Sequence, residues 1–422
     1  MKNLILWFRA VFGDSRLYEF EAVANAQLGW TKKWTWDTEI HTLDGGDIGP
    51  NLIQPLPESY HSVVHTLANV AQKTMACKGV FSILSHGKDA EQCLSNLGEE
   101  TIEEMASIID ASWCFRFAQL GKKERYKTEM RKNIVEQFGD SIPILHHHPV
   151  DLKNPTHEFY YLEDYRREHG VPALDGNTNP HQVWLLYRHP PQPDIPHIRS
   201  LESTLSLSRR AFISSTSLEE SRSIQLVNMA LNGEGKGKSI LDPFCGSGSI
   251  LLTASVFGAR CVGADKRKYL LLPHKRVLHI PPSKLRKQRG KEKVSIYDNF
   301  SELRLPNPTL LHSINIFQED ALSLYLEANQ NKQYDAIITD PPYGIRASRI
   351  ESETDIVQRL LALSYQLLRV GGKLVFLFPT SERNQYPLLN NNPFLHLVSI
   401  GWERFSNDTY RMIVVMKKEH AH

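Results

Sequence analysis

Apolar and polar residues are distributed along the chain in a way that predicts mixed α/β structure. In the first half, residues 3–12 and 79–84 are short apolar runs typical of strands, whereas residues 17–28 and 60–73 show the helical spacing of apolar positions. A proline-rich segment, residues 189–196, then interrupts the pattern and is typical of a semi-rigid linker. The chain is therefore expected to contain more than one domain.

After this linker the pattern alternates between strand and helix, as in a parallel sheet covered by helices. Strands are predicted at residues 238–241, 260–264, 313–317, 334–339 and 374–378, with helices at 250–257 and 353–368. Two further strands, at 395–405 and 411–417, are expected to pair as an antiparallel hairpin at the sheet edge. The predicted fold of this half is a doubly wound, Rossmann-like α/β sheet of seven strands.

The candidate chemistry centres on a loop that follows a buried strand, Asp340-Pro341-Pro342-Tyr343. Two prolines cannot continue a strand, so the loop is stiff and lies at the strand's carboxyl end, where open α/β sheets bind ligands. The Asp340 carboxylate and the Pro341 carbonyl can accept both hydrogens of a nucleobase amine and so aim its lone pair at a methyl group. Tyr343 offers a face on which the base can stack. The alternative is a proline-rich surface turn, which the position after a buried strand disfavours.

A glycine-rich turn precedes the first helix of this half, over residues 242–249. Gly246 and Gly248 allow the backbone to approach a ligand at a helix N-terminus. Leu251 stands where a dinucleotide-binding motif would have its third glycine, so the spacing favours a ligand with a charged amino acid tail over a pyrophosphate. Asp265, at the end of the next strand, can bind ribose hydroxyls. Asp320 follows the third predicted strand and can accept from an adenine amine.

A strongly basic insert, residues 266–293, separates the second and third predicted strands of this half. It contains eleven basic side chains, and its only acidic residue is Glu292. A charge run is often only a solvated surface, but such one-sided charge beside a nucleobase site favours contact with phosphates. The residues expected to bind RNA here are Lys284, Arg286, Lys287 and Arg289.

Composition narrows the class of protein only modestly. The chain has 422 residues, 41% of them hydrophobic and 23% charged, with a formal net charge of +2. Its five cysteines form no CxxC pair, which argues against a zinc site or a disulfide framework and fits a reducing compartment. Three adjacent histidines, 146–148, are interpreted as a loop and not as a metal site. No apolar run is long enough to span a membrane, so a cytoplasmic protein is expected.

With these motifs in view, the chain resembles the THUMP-containing tRNA guanosine-10 N2-methyltransferases. The resemblance covers most of the sequence. It rests on the segments 80–87, 150–155, 158–159, 162–165, 179–181, 210–213, 216–217, 242–248 and 340–346. It departs from the family pattern in several places: Lys266 follows Asp265 where the family has Asp-x-Asp, Ser214-Ser215 replaces Gly-Asn, and Ala347 replaces a glutamate. These departures bear on the position methylated more than on the type of reaction.

The resemblance implies an S-adenosylmethionine-dependent class I methyltransferase joined to an N-terminal module that grips tRNA. The implied domains are ferredoxin-like (1–59), THUMP (60–188), linker (189–200) and methyltransferase (201–422). The implied cofactor-binding residues are Thr216, Ser217, Asp242, Phe244, Gly246, Gly248, Asp265 and Asp320. The implied catalytic residues are Asp340, Pro341, Pro342 and Tyr343, with Arg346 contacting tRNA. Eukaryotic members work with a small zinc-binding activator protein, and archaeal relatives work alone.

Two other functions stay open from the sequence. One is methylation of an amine on DNA or ribosomal RNA, because an Asp-Pro-Pro-Tyr loop also serves adenine. A DNA enzyme would carry a sequence-reading domain, whereas the N-terminal half is THUMP-like. The other is an inactive tRNA-binding scaffold, which is disfavoured because each expected cofactor-facing position is filled.

Overall fold

The computed structural model describes residues 4–8, 15–29, 51–53, 60–120, 128–165, 180–195, 197–214, 216–266, 294–312, 325, 333–342, 353–380, 387–390, 392–393, 395–404 and 410–420. The chain divides into two compact units. The first comprises residues 1–12 and 24–196, and the second comprises residues 13–23 and 197–422. The boundary after Pro196 lies inside the predicted linker, whereas the division of the first unit into two domains stays a prediction.

The first unit is built on a six-stranded mixed sheet. Its strands are β1 (Leu4–Phe8), β2 (Asn51–Ile53), β3 (Cys77–Gly87), β4 (Trp113–Leu120), β5 (His157–Asp164) and β6 (Gln182–Arg188), in the order β2-β1-β3-β6-β5-β4. Among these described strands, β4 and β5 pair in parallel and the other neighbours pair antiparallel. The helices are α1 (Ser15–Leu28, which begins in the second unit), α2 (Tyr60–Lys73), α3 (Ala90–Ser95), α4 (Glu99–Ile108) and α5 (Thr128–Ser141).

Both faces of this sheet are apolar, as β5 shows. Phe159 and Tyr161 belong to one buried cluster, whereas Leu162, with Tyr160 packed alongside, belongs to another on the opposite face. This alternation is the period of two that a strand imposes on its side chains. The histidines predicted as a loop overlap a 3-10 helix, Pro143–His147. Among the described residues no group of three potential metal ligands comes together.

The second unit contains a seven-stranded sheet. Its strands are β7 (Ser239–Asp242), β8 (Arg260–Asp265), β9 (Thr309–His312), β10 (Tyr334–Thr339), β11 (Leu368–Thr380), β12 (His396–Arg404) and β13 (Tyr410–Lys417), in the order β12-β13-β11-β10-β7-β8-β9. β13 runs antiparallel to β11 and β12, and the other pairs are parallel. The predicted sheet with its C-terminal antiparallel hairpin is confirmed.

The helices of this unit are α6 (Ile198–Leu205), α7 (Glu220–Leu231), α8 (Ser249–Val256), α9 (Ile296–Glu302), α10 (Glu353–Leu367) and α11 (Pro387–Asn390). The strand described beside β8 begins before the predicted third strand. The strand that pairs with β8 is Thr309–His312, directly after Pro308, and residues 313–317 lie outside the described part of the chain. Among the described residues no helix is long and apolar enough to cross a membrane.

The N-terminal part of α1 belongs to this second unit. Gln225 Nε2 donates a hydrogen bond to Ser15 Oγ (2.9 Å), and Asn228 Nδ2 donates to Glu19 Oε1 (2.7 Å). All four side chains are buried, so these polar contacts are shielded from water. Residues 13–23, which the sequence pattern assigned to the first domain, therefore help to build the second unit.

Candidate active site

From β7 the strands β8 and β9 follow towards one edge of the sheet, whereas β10 lies on the other side of β7. The carboxyl ends of β7 and β10 therefore border the crevice where doubly wound sheets bind ligands. The parallel register pairs Ile337 with Leu241, which brings the ends of both strands side by side. Thr339 Oγ1 donates a 2.7 Å hydrogen bond to Asp242 Oδ1 across this gap. The glycine-rich turn and the Asp-Pro-Pro loop, separated by about a hundred residues of chain, are thereby joined at one place.

Asp242 is a deeply buried acid at the centre of this site. It is 1% exposed, and its Oδ1 also accepts the N–H of Phe244 (3.1 Å). Burial raises the pKa of Asp242 to about 7, and the charges of Asp340 and Asp265 push it in the same direction. The hydrogen bonds from Thr339 and Phe244 oppose this rise. Asp242 is therefore poised between its charged and neutral forms at physiological pH.

The glycine-rich turn has the backbone conformation that its sequence requires. Gly246 and Gly248 have φ values of +52° and +82°, in the left-handed region that glycine adopts without strain. The Gly246 N–H donates to Asp265 Oδ2 (3.1 Å). Asp265, which is predicted to bind ribose hydroxyls, therefore also orders the turn. Among the residues that the structure describes, a Cβ on Gly246 would meet only Phe244 O, at 3.9 Å. A ligand can therefore approach this backbone closely.

Gly263 on β8 was not identified from the sequence. It explains why the turn can have Leu251 where a dinucleotide-binding motif has its third glycine. A Cβ at Gly263 would lie 2.5 Å from Leu251 Cδ1 and 3.0 Å from Cys245 Sγ. The close approach of helix α8 to the sheet is thus provided by the strand, so the helix can carry a leucine. A glycine inside a short apolar strand is the sequence signal that could have revealed this approach.

The predicted cofactor residues Thr216 and Ser217 lie beside the same turn. Ser217 Oγ hydrogen-bonds Ser247 Oγ at 2.5 Å and accepts the N–H of Ser214 at 2.8 Å. Thr216 Oγ1 lies 3.4 Å from Ser214 Oγ. These contacts hold Ser214, Thr216 and Ser217 beside the glycine-rich turn, as expected if both segments line one pocket.

The segment leading to this turn is fixed by residues whose positioning role the sequence did not reveal. The Asn299 side chain of α9 accepts the Phe212 N–H (2.9 Å) and donates to the Phe212 carbonyl (2.8 Å). It thus satisfies both backbone groups of Phe212, as a residue of a neighbouring strand would. Arg210 donates through Nη1 to Ser249 Oγ (2.6 Å) and through Nε to the Leu205 carbonyl (2.9 Å). Both side chains are buried. No local periodicity identifies such contacts, because the partners are distant along the chain.

The remaining predicted site residues are only partly covered by the structure. Asp340 directly follows β10 and is partly buried, Pro341 is buried, and Pro342 is partly buried. Their place at the end of β10 is the one predicted for the loop. Other predicted residues lie outside the described part of the chain: Tyr343, Arg346, Asp320, Lys284, Arg286, Lys287 and Arg289. Their roles stay predictions.

Residues 208–390 match the family model UPF0020, described as "RMKL-like, methyltransferase domain". The matched range contains the glycine-rich turn, β10 and the Asp-Pro-Pro loop of the second unit. The second unit carries a class I methyltransferase fold. Both the sheet order and the antiparallel last strand of this methyltransferase domain agree with the fold predicted from the sequence.

Curated relatives extend the similarity beyond the methyltransferase domain. The chain is 27% identical over 389 residues to the tRNA (guanine(10)-N(2))-methyltransferase TRMT11 of Bos taurus, covering 83% of this chain and 76% of that protein. It is 25% identical over 456 residues to TRMT11 of Dictyostelium discoideum, covering 99% and 82%. A solved structure, TrmN from Thermus thermophilus, aligns with 99% of this chain and all of its own at 14% identity, with a TM-score of 0.43.

Proposed function

We propose that this protein transfers a methyl group from S-adenosylmethionine to the exocyclic 2-amino group of guanosine 10 in tRNA. The observation that carries the proposal is the junction at the switch point of the sheet. There the Thr339 hydroxyl bonds Asp242 of the glycine-rich turn, and Asp340 begins the amine-orienting loop. The curated relatives, which are named for this reaction on tRNA, support the choice of substrate.

The residues around the glycine-rich turn fit this cofactor. No side chain of the described residues lies within 4 Å of a Cβ at Gly246, which favours binding of an amino acid tail beside the N-terminus of α8. Asp265 lies at the end of β8, where an acid can bind ribose hydroxyls, and Asp242 is buried beneath the turn. Thr216 and Ser217 close the opposite side of the pocket in this proposal. The bound cofactor would supply an activated methyl group on its sulfonium, so the protein mainly needs to position and desolvate the amine.

In the proposed reaction Asp340 and the Pro341 carbonyl accept the two hydrogens of the guanine amine. This arrangement would free the nitrogen lone pair, which is otherwise delocalised into the ring, to form the new N–C bond. The bond between the methyl carbon and the sulfonium sulfur would break at the same time, and the sulfur would leave as a neutral thioether. The proton that the nitrogen loses then passes to the Asp340 carboxylate and from there to water, because Asp340 is partly exposed. Tyr343 would stack on the flipped base, with a contribution of about 1–3 kcal/mol.

We further propose that the N-terminal unit grips tRNA as a THUMP-type module and that the protein acts in the cytoplasm. The basic residues of the insert 266–293 would contact phosphates. If the protein comes from a eukaryote, a small zinc-binding activator subunit is the expected partner. These proposals rest on the resemblance of the sequence segments and not on contacts within the described residues.

The deciding experiment measures methyl transfer from labelled cofactor to unmodified tRNA, with and without a candidate zinc-binding activator, followed by digestion to nucleosides. The proposal expects label in N2-methylguanosine that disappears when guanosine 10 is replaced. Label in methyladenosine, or only in ribosomal RNA or DNA, would overturn the substrate but keep the amine chemistry. Absence of label under every condition, with cofactor bound, would instead favour the scaffold.

Alanine at the two glycines of the turn is expected to separate cofactor binding from stability. At Gly248 a Cβ would lie 2.2 Å from Ile296 Cδ1, so Gly248→Ala should destabilise the protein by about 1–3 kcal/mol. At Gly246 the Cβ enters the open space of the pocket, so Gly246→Ala should mainly weaken cofactor binding, by about tenfold or more. Gly237→Ala is the matched control, because Gly237 has a φ of +78° and open space around it. Thermal denaturation and cofactor titration give both readouts. Equal cofactor affinity in Gly246→Ala and wild type would place the pocket elsewhere.

Cofactor binding is expected to strengthen with rising pH because Asp242 must ionise. The pKa of Asp242 is about 7 in the free protein, and a cationic ligand favours the charged carboxylate, so binding should release a proton. Affinity measured between about pH 5.5 and 9 should therefore rise through neutrality in the wild type and show a smaller rise in Asp242→Asn. The variant also corrects for titration of the cofactor's own amine. Thr339→Val removes a hydrogen bond that lowers the pKa, so its midpoint should move upward. Identical profiles for all three proteins would contradict this linkage.

A further inference from the structure

Arg210 is a buried cation whose bonding is incomplete. Its side chain is 7% exposed, and two of its nitrogens donate to the Leu205 carbonyl and to Ser249 Oγ. The third nitrogen, Nη2, is buried with no hydrogen-bond partner among the residues that the structure describes. Buried donors are nearly always satisfied, so the guanidinium group of Arg210 has less hydrogen bonding than its burial calls for.

The charge of Arg210 is also unmatched. In the described part of the chain no carboxylate lies within ion-pair distance of its guanidinium group, and the charge of Glu220 favours the protonated form of Arg210. Burial lowers the pKa of Arg210 to about 10, which still leaves it charged at neutral pH. Burying a cation without a counter-ion costs several kcal/mol, and proteins rarely leave one unpaired.

The position of this cation points to the anion that would match it. Ser249, which accepts from Arg210, is the first residue of α8, and Gly248 before it is the N-cap. The first turn of a helix carries unpaired N–H groups and the positive end of the helix dipole. The buried guanidinium group of Arg210 adds its charge to the positive potential at this helix N-terminus. An anion at the glycine-rich turn would be attracted by both.

We propose that Arg210 is a positioning residue that makes this site selective for a ligand bearing a carboxylate. The inference rests on the proposed use of S-adenosylmethionine, whose amino acid tail carries that group. Nη2 is shielded from solvent, so Arg210 acts through Ser249 and the first turn of α8 and not by touching the ligand. Its charge and its hold on Ser249 favour the carboxylate over an uncharged or cationic tail.

A purely structural role predicts something different. Arg210 also ties the end of α6 to α8 through its bond to the Leu205 carbonyl. If that tie were its whole function, its loss would weaken every adenosyl ligand by a similar factor. The ratio between ligands that differ only in the carboxylate therefore separates the two roles.

The experiment titrates the full-length protein and its variants with S-adenosylmethionine, its decarboxylated analogue and 5′-methylthioadenosine, which lacks the amino acid tail. The wild type is expected to prefer S-adenosylmethionine over the decarboxylated analogue by at least about tenfold, because the positive charge at the glycine-rich turn attracts the carboxylate. In Arg210→Met this preference should fall by about tenfold, with the affinity for 5′-methylthioadenosine nearly unchanged. Arg210→Lys, which keeps the positive charge but not the planar guanidinium group with its several donors, should retain part of the preference.

Ser249→Ala provides an independent test if Arg210→Met folds poorly. It removes the relay but keeps the Arg210 bond to Leu205, so it should reduce the same ratio by a smaller factor. Equal weakening of all three ligands by Arg210→Met, or an unchanged ratio in both variants, would overturn the inference. The measurement needs no tRNA. A preference for the carboxylate without tRNA methylation would therefore overturn the proposed function alone, and failure of wild type to bind any of the ligands would overturn both.

Discussion

Asp340→Ala is expected to reduce the rate of methyl transfer by about 10²- to 10³-fold or more, with cofactor affinity largely intact. In the proposed mechanism Asp340 supplies the acceptor that orients the guanine amine, and no other carboxylate in the described residues follows β10 at this point. Without it the amine lone pair stays conjugated with the ring and is poorly aimed. The effect should therefore appear in kcat with saturating tRNA and cofactor.

The same substitution is expected to change cofactor affinity in the opposite direction to the rate of transfer. The negative charge of Asp340 contributes to the raised pKa of Asp242. Removing that charge should lower the pKa of Asp242, so the cofactor should bind at neutral pH as tightly as in the wild type or more tightly. A collapse of the site would weaken both binding and transfer, so the two measurements together distinguish loss of chemistry from loss of structure.

Asp340→Asn is the matched control for this experiment. The amide keeps one acceptor oxygen but cannot take up the released proton, so an intermediate rate is expected, with cofactor affinity similar to that of Asp340→Ala. Single-turnover rates with unmodified tRNA and equilibrium titration of the cofactor provide the readouts. Transfer within about threefold of wild type in Asp340→Ala would show that another group orients the amine.

The strands that position this site could be predicted because their local sequence determines them. Residues 239–242 and 334–339 are short, apolar runs that end in polar motifs, which is how buried parallel strands appear in a sequence. The glycine-rich turn was found for a similar reason, since left-handed backbone at positions 246 and 248 demands glycine. In these cases the physical constraint and the residue that meets it occupy the same place in the chain.

Features that depend on tertiary neighbours were missed. Helix α7 has no exposed polar stripe, because every residue from Arg222 to Leu231 is buried, so amphipathic periodicity could not reveal it. Gly263 matters because of Leu251 on a neighbouring element, and Thr339 because of Asp242. A glycine or a threonine inside a strand can have many structural roles, and the sequence alone does not distinguish them. Only the register of the folded sheet shows which one applies.

Glu403→Ala is expected to be the most destabilising substitution in the second unit, at about 3–5 kcal/mol. Glu403 on β12 is 3% exposed and pairs with two buried arginines. Arg222 Nη1 lies 2.5 Å from Glu403 Oε2, and Arg411 Nε donates to Glu403 Oε1. Burial raises the pKa of Glu403, and the two guanidinium groups oppose that rise. Removing the carboxylate would leave two cations close together in a place that water reaches poorly.

Glu219 offers a matched control in the same cluster. It also contacts both arginines, at 3.2 Å from Arg222 Nε and 3.6 Å from Arg411 Nη2, but its side chain is 53% exposed. Water can replace its contribution, so Glu219→Ala should cost at most about 1 kcal/mol. Thermal denaturation should show the contrast, with a fall in Tm of about 6–20 °C for Glu403→Ala. Combining Glu403→Ala with Arg222→Met and Arg411→Leu should recover much of the loss, because it also removes the stranded charges. Equal effects of the two glutamates, or no recovery in the triple variant, would show that burial of the charge is not the cause.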